Sequence, residues 1–93
     1  MSGFIIQNKI MDMLNVNFSV LKGYFDSIQG WKESNNSFSA GNLLVYYRAE
    51  FNEWRLKDLS VFSSMDIMTI DFPFDENSKA RLWRHCSENY KAD

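Results

Sequence analysis

The segment from Asn8 to Ile28 constrains the fold most, because its apolar residues recur every three or four positions, the period of an α-helix. These apolar residues are Ile10, Met13, Leu14, Phe18, Leu21, Tyr24, Phe25 and Ile28. The pattern predicts an amphipathic helix over residues 8–28 that ends near Gly30. A helix of about 20 residues spans about 30 Å, more than a small domain needs, so we expect its overhanging apolar stripe to find a partner.

The segment over residues 32–42 is polar and rich in asparagine and serine, with Gly41 near its end. This composition predicts a loop between the first helix and the first strand.

Three stretches of alternating apolar and polar residues predict strands over residues 43–50, 54–62 and 66–73. The short connections between them favour an antiparallel meander. The alternation changes phase at Asp58, so we expect a bulge or a local end of pairing there. Pro73 ends the third strand or places it at a sheet edge. The aromatic Phe72 before it raises the chance of a cis peptide bond, but we expect the trans form.

A final helix is predicted over residues 76–90, capped by Asp75 or Asn77. Its predicted buried residues are Leu82, Trp83, Cys86 and Tyr90. The whole chain, residues 1–93, is therefore predicted to be one α+β domain of two layers. A long N-terminal helix, a three-stranded antiparallel meander and a C-terminal helix follow one another, and both helices cover one face of the sheet.

Charge and cysteine content narrow the functional classes. The sequence has ten lysines and arginines and 12 aspartates and glutamates, so its formal net charge is -2. This charge disfavours a nucleic-acid partner. Cys86 is the only cysteine of the sequence, so no internal disulfide forms, and we expect a reducing, cytoplasmic location. The apolar run near the N-terminus is shorter than a signal peptide or a membrane span, so we expect no membrane association.

Catalytic and cofactor motifs are missing from the sequence, which has no glycine-rich phosphate loop and no nucleophile elbow. His85 and Cys86 are adjacent on the predicted helix, so their side chains diverge by about 100° and do not form a nucleophile pair. We expect a protein that is not an enzyme and has no catalytic, cofactor or metal site.

Aromatic residues are abundant, with eight phenylalanines, four tyrosines and three tryptophans, more than one small core usually absorbs. We therefore expect a small protein-binding domain, an inhibitor, immunity or anti-defence protein or an adaptor, that occupies the surface of a larger partner. The residues predicted to bind are Tyr46, Arg48, Phe51, Trp54, Arg55, Met11 and Met13.

Two alternatives belong to other classes. A nucleic-acid-associated domain would use the basic face of the last helix, formed by Arg81, Arg84, His85 and Lys91. A homodimer or homo-oligomeric structural component would instead bury the apolar stripe of the first helix against a second copy.

Overall fold

The computed structural model describes residues 2–60 and 66–92, and in the first helix it describes side chains from residue 13 onward. The elements in chain order are α1 (Ser2–Asp26), β1 (Lys32–Ser34), β2 (Ser37–Ala40), β3 (Leu43–Arg48), β4 (Glu53–Asp58), β5 (Asp66–Ile70) and α2 (Glu76–Asn89). Over the described residues, the five strands form one antiparallel sheet in the order β1-β2-β3-β4-β5. The predicted α+β class is confirmed, but the sheet is larger than the predicted meander of three strands.

The largest correction concerns residues 32–42, which form β1 and β2 instead of a loop. Asn35 and Asn36 make the turn between these strands, with φ values of 51° and 60°, in the left-handed region that asparagine tolerates better than most residues. Phe38 and Ala40 are buried, whereas β1 is exposed along its whole length. The alternation is weak in the sequence because those two apolar residues alone mark it.

The predicted first helix is confirmed as α1, although it begins and ends earlier than expected, at Ser2 and Asp26. Leu21 and Phe25, one helical turn apart, are fully buried against the sheet. Gly30 follows the helix with a φ of 98°, a left-handed value that glycine adopts without steric cost.

The core lies between the two helices and one face of the sheet, which we call the inner face. Its buried side chains are Leu21, Phe25, Phe38, Leu43, Val45, Trp54, Leu56, Met68, Ile70, Phe74, Leu82 and Cys86. The ring of Phe38 lies 5.3 Å from the ring of Phe18 and 5.0 Å from that of Phe25, measured between centroids. These aromatic contacts fasten α1 to β2, a strand with few other apolar residues.

The C-terminal helix α2 begins where predicted, because the Asp75 carboxylate accepts a hydrogen bond from the Ser78 N–H at 2.9 Å. Its buried residues are Ser78, Leu82 and Cys86. Trp83 and Tyr90, predicted to be buried, are 54% and 51% exposed. Successive residues of a helix point about 100° apart, so Trp83 turns away from the narrow stripe that contains Leu82.

The register between β4 and β5 shifts after Leu56, close to the predicted phase change. Leu56 pairs with Met68, whereas Lys57 pairs with Asp66, so the extra residue is Ile67 on β5. The irregularity therefore belongs to β5, while β4 alternates without interruption to its last residue.

The predicted strand ends are also corrected. β3 ends at Arg48, β4 at Asp58 and β5 at Ile70, each earlier than expected. Residues 61 and 62, predicted as the end of the second strand, lie outside the described part of the chain. The Phe72–Pro73 peptide bond, expected to be trans, is cis.

A buried hydrogen-bond network fastens the sheet to the end of α2. The Asn42 Nδ2 donates to Asp58 Oδ1 at 2.7 Å and to the Asn89 carbonyl at 2.9 Å, and its Oδ1 accepts from the Lys91 N–H at 2.5 Å. Asn42 and Asp58 are 7% and 6% exposed. We call these four residues the Asn42 network.

Asp58 receives further hydrogen bonds from its neighbour Ser60, whose hydroxyl and N–H donate at 2.6 and 2.9 Å. Donation by the Ser60 hydroxyl, and then by Asn42, lowers the pKa of Asp58 below its ordinary value. Asp58 is therefore ionised at neutral pH and accepts from several donors at once.

Gly41 lets the chain pass close to the residues that follow α2. A Cβ atom at this position would lie 2.3 Å from the Lys91 carbonyl oxygen, and the φ of Gly41 is 55°. Steric fit and backbone conformation both favour glycine here.

Candidate protein-binding site on the outer face of the sheet

The face of the sheet opposite the core, which we call the outer face, is polar and charged. Strand alternation places there the residues Leu44, Tyr46, Arg48, Glu53, Arg55, Lys57, Asp66 and Thr69. Both helices pack their buried residues on the inner face. Within the described residues, neither helix therefore covers the outer face, which is a broad surface of the sheet.

Asp66 is the centre of a hydrogen-bond cluster on this face. Its Oδ1 accepts from the Tyr46 hydroxyl at 2.6 Å, and its Oδ2 accepts from Arg55 Nη1 at 2.9 Å. Arg48 Nη1 lies 3.5 Å from the same Oδ2. The three donors come from two neighbouring strands, so the Asp66 carboxylate connects β5 with both β3 and β4.

The ionisation of this cluster follows from these contacts. Partial burial raises the pKa of Asp66, but hydrogen bonds from Tyr46 and Arg55 outweigh it, and the net pKa lies below the ordinary value. Burial, followed by the hydrogen bond to Asp66, raises the pKa of Tyr46. At neutral pH Tyr46 is therefore a neutral donor and Asp66 a charged acceptor.

Phe51 lies close to two guanidinium groups at the turn between β3 and β4. The Cζ atoms of Arg48 and Arg55 are each 5.0 Å from the centroid of its ring, within the range of a cation–π interaction. The Phe51 residue is nevertheless 55% exposed. An apolar ring is thus presented to solvent in contact with two cations.

The two arginines differ in how fully their donors are used. Arg55 donates from Nε and Nη2 to Glu53 Oε2, at 3.1 and 2.8 Å, in addition to its bond with Asp66. Arg48 donates from Nε to Glu50 at 3.2 Å, and 39% of its side chain is exposed, against 17% for Arg55. Arg55 therefore fixes the cluster, whereas Arg48 retains accessible donors.

The turn that carries Phe51 is held by its own hydrogen bonds. The Phe51 N–H donates to the Arg48 carbonyl at 3.2 Å, and the Asn52 N–H donates to the Ala49 carbonyl at 3.3 Å. Asn52 has a φ of 51°, and its side-chain oxygen accepts from the Tyr47 hydroxyl. These contacts limit the freedom of the ring to move with the turn.

Four of the residues predicted to bind a partner come together here: Tyr46, Arg48, Phe51 and Arg55. We call these four, together with Asp66, the outer-face cluster. Lys57 extends it, because its Nζ lies 4.9 Å from the centroid of the Tyr46 ring.

Trp54, also predicted to bind, belongs to the inner face and is 2% exposed. Cross-strand pairing explains this correction, because Tyr46 pairs with Arg55 while Tyr47 pairs with Trp54. Directly paired residues share a face, so Trp54 follows Tyr47 into the core.

The two methionines predicted to bind are on α1, in the other layer. Met13 is 59% exposed, whereas the side chain of Met11 lies outside the described residues. Met13 lines a cavity together with Asn52 and Glu53, and it is not a member of the outer-face cluster.

Sequence reasoning missed Asp66 as a member of the cluster. Asp66 is an acidic residue of β5 that pairs with Lys57, on the same face of the sheet as Tyr46 and Arg55. The alternation of the predicted strands is the signal that could have found it, since it places this carboxylate beside cations of the neighbouring strand.

The basic residues of the alternative nucleic-acid face are not gathered into one free patch. Arg81 Nη1 lies 2.7 Å from Asp71 Oδ2, so its charge is paired. His85 Nδ1 is 2.9 Å from the Arg81 carbonyl oxygen. Arg84 is exposed on α2, and Lys91 follows the end of that helix.

The chemistry of the remaining candidate groups is limited. Burial raises the pKa of Cys86 to about 12, so its thiol stays protonated at neutral pH. Within residues 2–60 and 66–92, no three side chains of the His, Cys, Asp or Glu type converge on one point.

Comparisons with protein-family models, curated proteins and solved structures find no match to this chain. Across the part of the chain that the structure describes, neither helix combines the length and apolar character needed to cross a membrane.

Proposed function

We propose that this protein is a small protein-binding domain that is not an enzyme and acts by covering part of a larger partner, as an inhibitor, an immunity or anti-defence protein, or an adaptor. The observation that carries the proposal is the exposed Phe51 ring, whose centroid lies 5.0 Å from the guanidinium carbons of both Arg48 and Arg55. Aromatic and arginine side chains supply most of the binding energy in many protein interfaces.

Preorganisation is the physical reason why this cluster suits binding. Fixing a long side chain on association costs about 0.5 to 1.5 kcal/mol, and this cost lowers the affinity. Arg55 already makes hydrogen bonds to Glu53 and Asp66, and Tyr46 to Asp66, before any partner arrives. A partner that meets the cluster would therefore lose less side-chain entropy than on a mobile surface.

The chemistry of the cluster defines the kind of partner surface it fits. Phe51 requires an apolar pocket, and the accessible donors of Arg48 require a carboxylate or carbonyl beside that pocket. Glu50 and Glu53 adjoin the arginines, so the charges of both signs are nearly balanced. The partner is thus a protein with an apolar pocket flanked by an acidic group, and its binding should depend weakly on salt.

A cytoplasmic location remains part of this proposal. Cys86 is the only cysteine of the chain, and a free thiol of this kind is typical of proteins in reducing compartments.

The experiment compares two exposed apolar residues at opposite ends of β4. Tagged wild-type protein, Phe51→Ala and Leu59→Ala are each used to capture proteins from a lysate of the natural host after nuclease treatment. Leu59 is 48% exposed, similar to Phe51, but lies outside the outer-face cluster. We expect Phe51→Ala to weaken binding of the captured protein by about 2 kcal/mol, about 30-fold in Kd, and Leu59→Ala to leave it unchanged.

Other results would contradict the proposal. Equal capture by wild-type protein and Phe51→Ala would exclude the outer-face cluster as the binding surface. Loss of all capture after nuclease treatment would favour nucleic acid and the α2 residues. A doubled mass in solution, without any other protein, would favour the homodimer.

A further inference from the structure

A cavity of about 270 Å³ lies where the chain that follows α1 meets the end of α2. Three of its lining residues are aromatic: Trp31, which follows α1, and Trp83 and Tyr90, on α2 and at its C-cap. Trp83 and Tyr90 are two helical turns apart in sequence, so they lie on the same side of α2. Each is about half exposed, so their rings are accessible to a ligand.

The fold holds two of these rings in place. The ring centroid of Trp31 lies 4.3 Å from that of Phe25, a buried residue of α1. Tyr90 lies against Gly41, where a Cβ atom would be 2.8 Å from Tyr90 Cε2. The Asn42 network holds the backbone on both sides of Tyr90. The aromatic part of the lining is therefore largely preorganised.

The lining is uncharged. Among the described residues that line the cavity there is no lysine, arginine, histidine, aspartate or glutamate. The thiol of Cys86, which also lines it, stays protonated at neutral pH because burial raises its pKa to about 12. An anion would lose its hydration here without gaining a cation. The faces of aromatic rings, in contrast, attract cations.

The ends of both helices add to this preference for a cation, because the C-terminus of a helix carries a partial negative charge. α1 ends at Asp26, two residues before the lining residue Ile28, and α2 ends at Asn89, next to Tyr90. The last turns of α1 and α2 both lie in the described part of the chain, and neither contains a basic residue. A cation in the cavity would therefore compensate the negative ends of two helices.

Two lysines adjoin the cavity in sequence, Lys32 and Lys91, but neither of them lines it. The pKa of Asp58 is lowered most by the hydrogen bond from Ser60 and also by the charge of Lys91. Lys91 therefore has a carboxylate of its own to act on.

We infer that this cavity binds a trimethylammonium group, as found in choline and in trimethylated lysine. The three aromatic rings would attract the charge, while the methyl groups would contact apolar lining residues such as Leu43. The volume corresponds to about nine water molecules of about 30 Å³ each, and choline has fewer non-hydrogen atoms than that. The site does not rest on the proposed function, because none of its lining residues belongs to the outer-face cluster.

Other ligands fit this lining less well. A primary ammonium group has three N–H donors that need acceptors, and Gln29 and Ser87 are the lining residues with amide or hydroxyl groups on aliphatic side chains. A trimethylammonium group has no N–H, so it needs no acceptor. An uncharged apolar ligand would contact the same side chains but would gain nothing from the ring faces or the helix ends.

The test measures choline binding by nuclear magnetic resonance of ¹⁵N-labelled protein. Its control is the carbon analogue of choline, in which an uncharged tert-butyl group of the same shape replaces the trimethylammonium group. The indole N–H signals of Trp31 and Trp83 report on the cavity, whereas Trp54 does not line it. Trp83→Phe identifies the Trp83 signal by its loss, and the contact with Phe25 distinguishes Trp31 from Trp54.

We expect choline to shift the Trp31 and Trp83 signals with a Kd of about 1 mM, a reasonable affinity for so small a ligand. The Trp54 signal should stay unchanged, and the carbon analogue should bind at least about tenfold more weakly.

Two variants at one exposed position separate the ring from its apolar bulk. Trp83→Leu keeps an apolar side chain without a ring and should weaken choline binding about tenfold. Trp83→Phe keeps a ring and should weaken it about threefold at most. Both are read from the Trp31 signal, and Trp83 is 54% exposed, so neither change opens the core.

The two sources of the charged group are distinguished by a parallel titration with the N-acetyl amide of trimethyllysine. Tighter binding of this compound than of choline would support the site and identify a modified protein as the ligand. Tighter binding of choline would support the site and identify a small molecule.

Three results would overturn the inference: no shift of the Trp31 and Trp83 signals at about 10 mM of either compound, equal binding of choline and its carbon analogue, or equal affinities of Trp83→Leu and Trp83→Phe. None of these measurements depends on Phe51 or the other residues of the outer-face cluster. Failure of this site therefore leaves the proposed protein-binding function unaffected, and failure of the Phe51→Ala experiment leaves this site unaffected.

Discussion

Asp58 and Asp66, at the end of β4 and the start of β5, both accept several hydrogen bonds, yet their surroundings differ. Asp58 is buried and bonded to neutral donors, Ser60 and Asn42. Asp66 is partly exposed and bonded to Tyr46 and Arg55. The Asn42 network connects the sheet with the end of α2, whereas the outer-face cluster connects neighbouring strands and ends in an exposed ring.

This difference separates stability from recognition. Breaking the buried network leaves polar groups that water cannot reach, so its cost is in folding free energy. When the exposed cluster is broken, water replaces the lost partners. The main cost is therefore a loss of side-chain order at the surface and not of folding free energy. The following predictions test that separation.

The largest effect is expected for Asn42→Ala, which removes the donor to Asp58 and Asn89 and the acceptor for the Lys91 N–H. We expect the free energy of unfolding to fall by about 3 kcal/mol, measured by chemical denaturation. Asn77→Ala, at an exposed position in the first turn of α2, is the control and should change stability by less than about 0.5 kcal/mol. Similar values for the two variants would mean that the network contributes little.

Two glycine substitutions test how much the close contact between Gly41 and Lys91 contributes to stability. Gly41→Ala would place its Cβ 2.3 Å from the Lys91 carbonyl oxygen, so we expect a loss of about 2 kcal/mol and a displaced C-terminal segment. Gly23→Ala meets no atom within 4 Å on α1 and should stabilise the protein by about 0.5 to 1 kcal/mol. Thermal unfolding measures both changes. An unchanged melting temperature for Gly41→Ala would contradict the close approach of Gly41 to the Lys91 carbonyl.

A smaller effect on stability is expected for Asp66→Asn. The variant removes the charge that Arg48 and Arg55 share, but these groups reach solvent, so the loss should be about 1 kcal/mol or less. We expect amide hydrogen exchange to become faster at Phe51 and Asn52, because Arg48 is freer to leave the ring. A large loss of stability with unchanged exchange at this turn would mean that the outer-face cluster contributes to folding and not to the order of the surface.

The features that depend on residues close in sequence could be predicted. The three- and four-residue spacing of α1 and the alternation of β3 and β4 are local patterns, and all three elements were predicted from them. Phe51 and Arg55 were both predicted to bind, and a single turn brings them into contact. Trp54 was placed on the wrong face because the length of the turn, which pairs Arg48 with Glu53, sets that face.

Features that depend on distant residues could not be predicted. Asn42 meets Asp58, Asn89 and Lys91, which are remote in sequence and belong to different elements. No local sequence pattern indicates these contacts. The β1–β2 hairpin was missed for a related reason, since the aromatic residues of α1 that cover Phe38 are also distant in sequence.

The smallest expected effect is the acid dependence of stability, to which both aspartates contribute. Hydrogen bonds lower the folded-state pKa of Asp58 and of Asp66, so each stabilises the fold above the unfolded-state pKa of about 3.9. That contribution is lost as the pH falls through the folded-state value. Asp75, whose pKa is lowered chiefly by the Ser78 N–H, behaves in the same way.

Denaturation of wild-type protein and Asp66→Asn between about pH 7 and pH 2 measures the share of each group. The wild-type protein should lose stability below about pH 4, and the variant should lose less, because one titrating carboxyl is gone. The variant should still show a decline, since Asp58 and Asp75 keep their lowered pKa values. Identical declines would mean that Asp66 is not held by Tyr46 and Arg55 in solution. The outer-face cluster would then not be preorganised, and its role in binding would lose its physical basis.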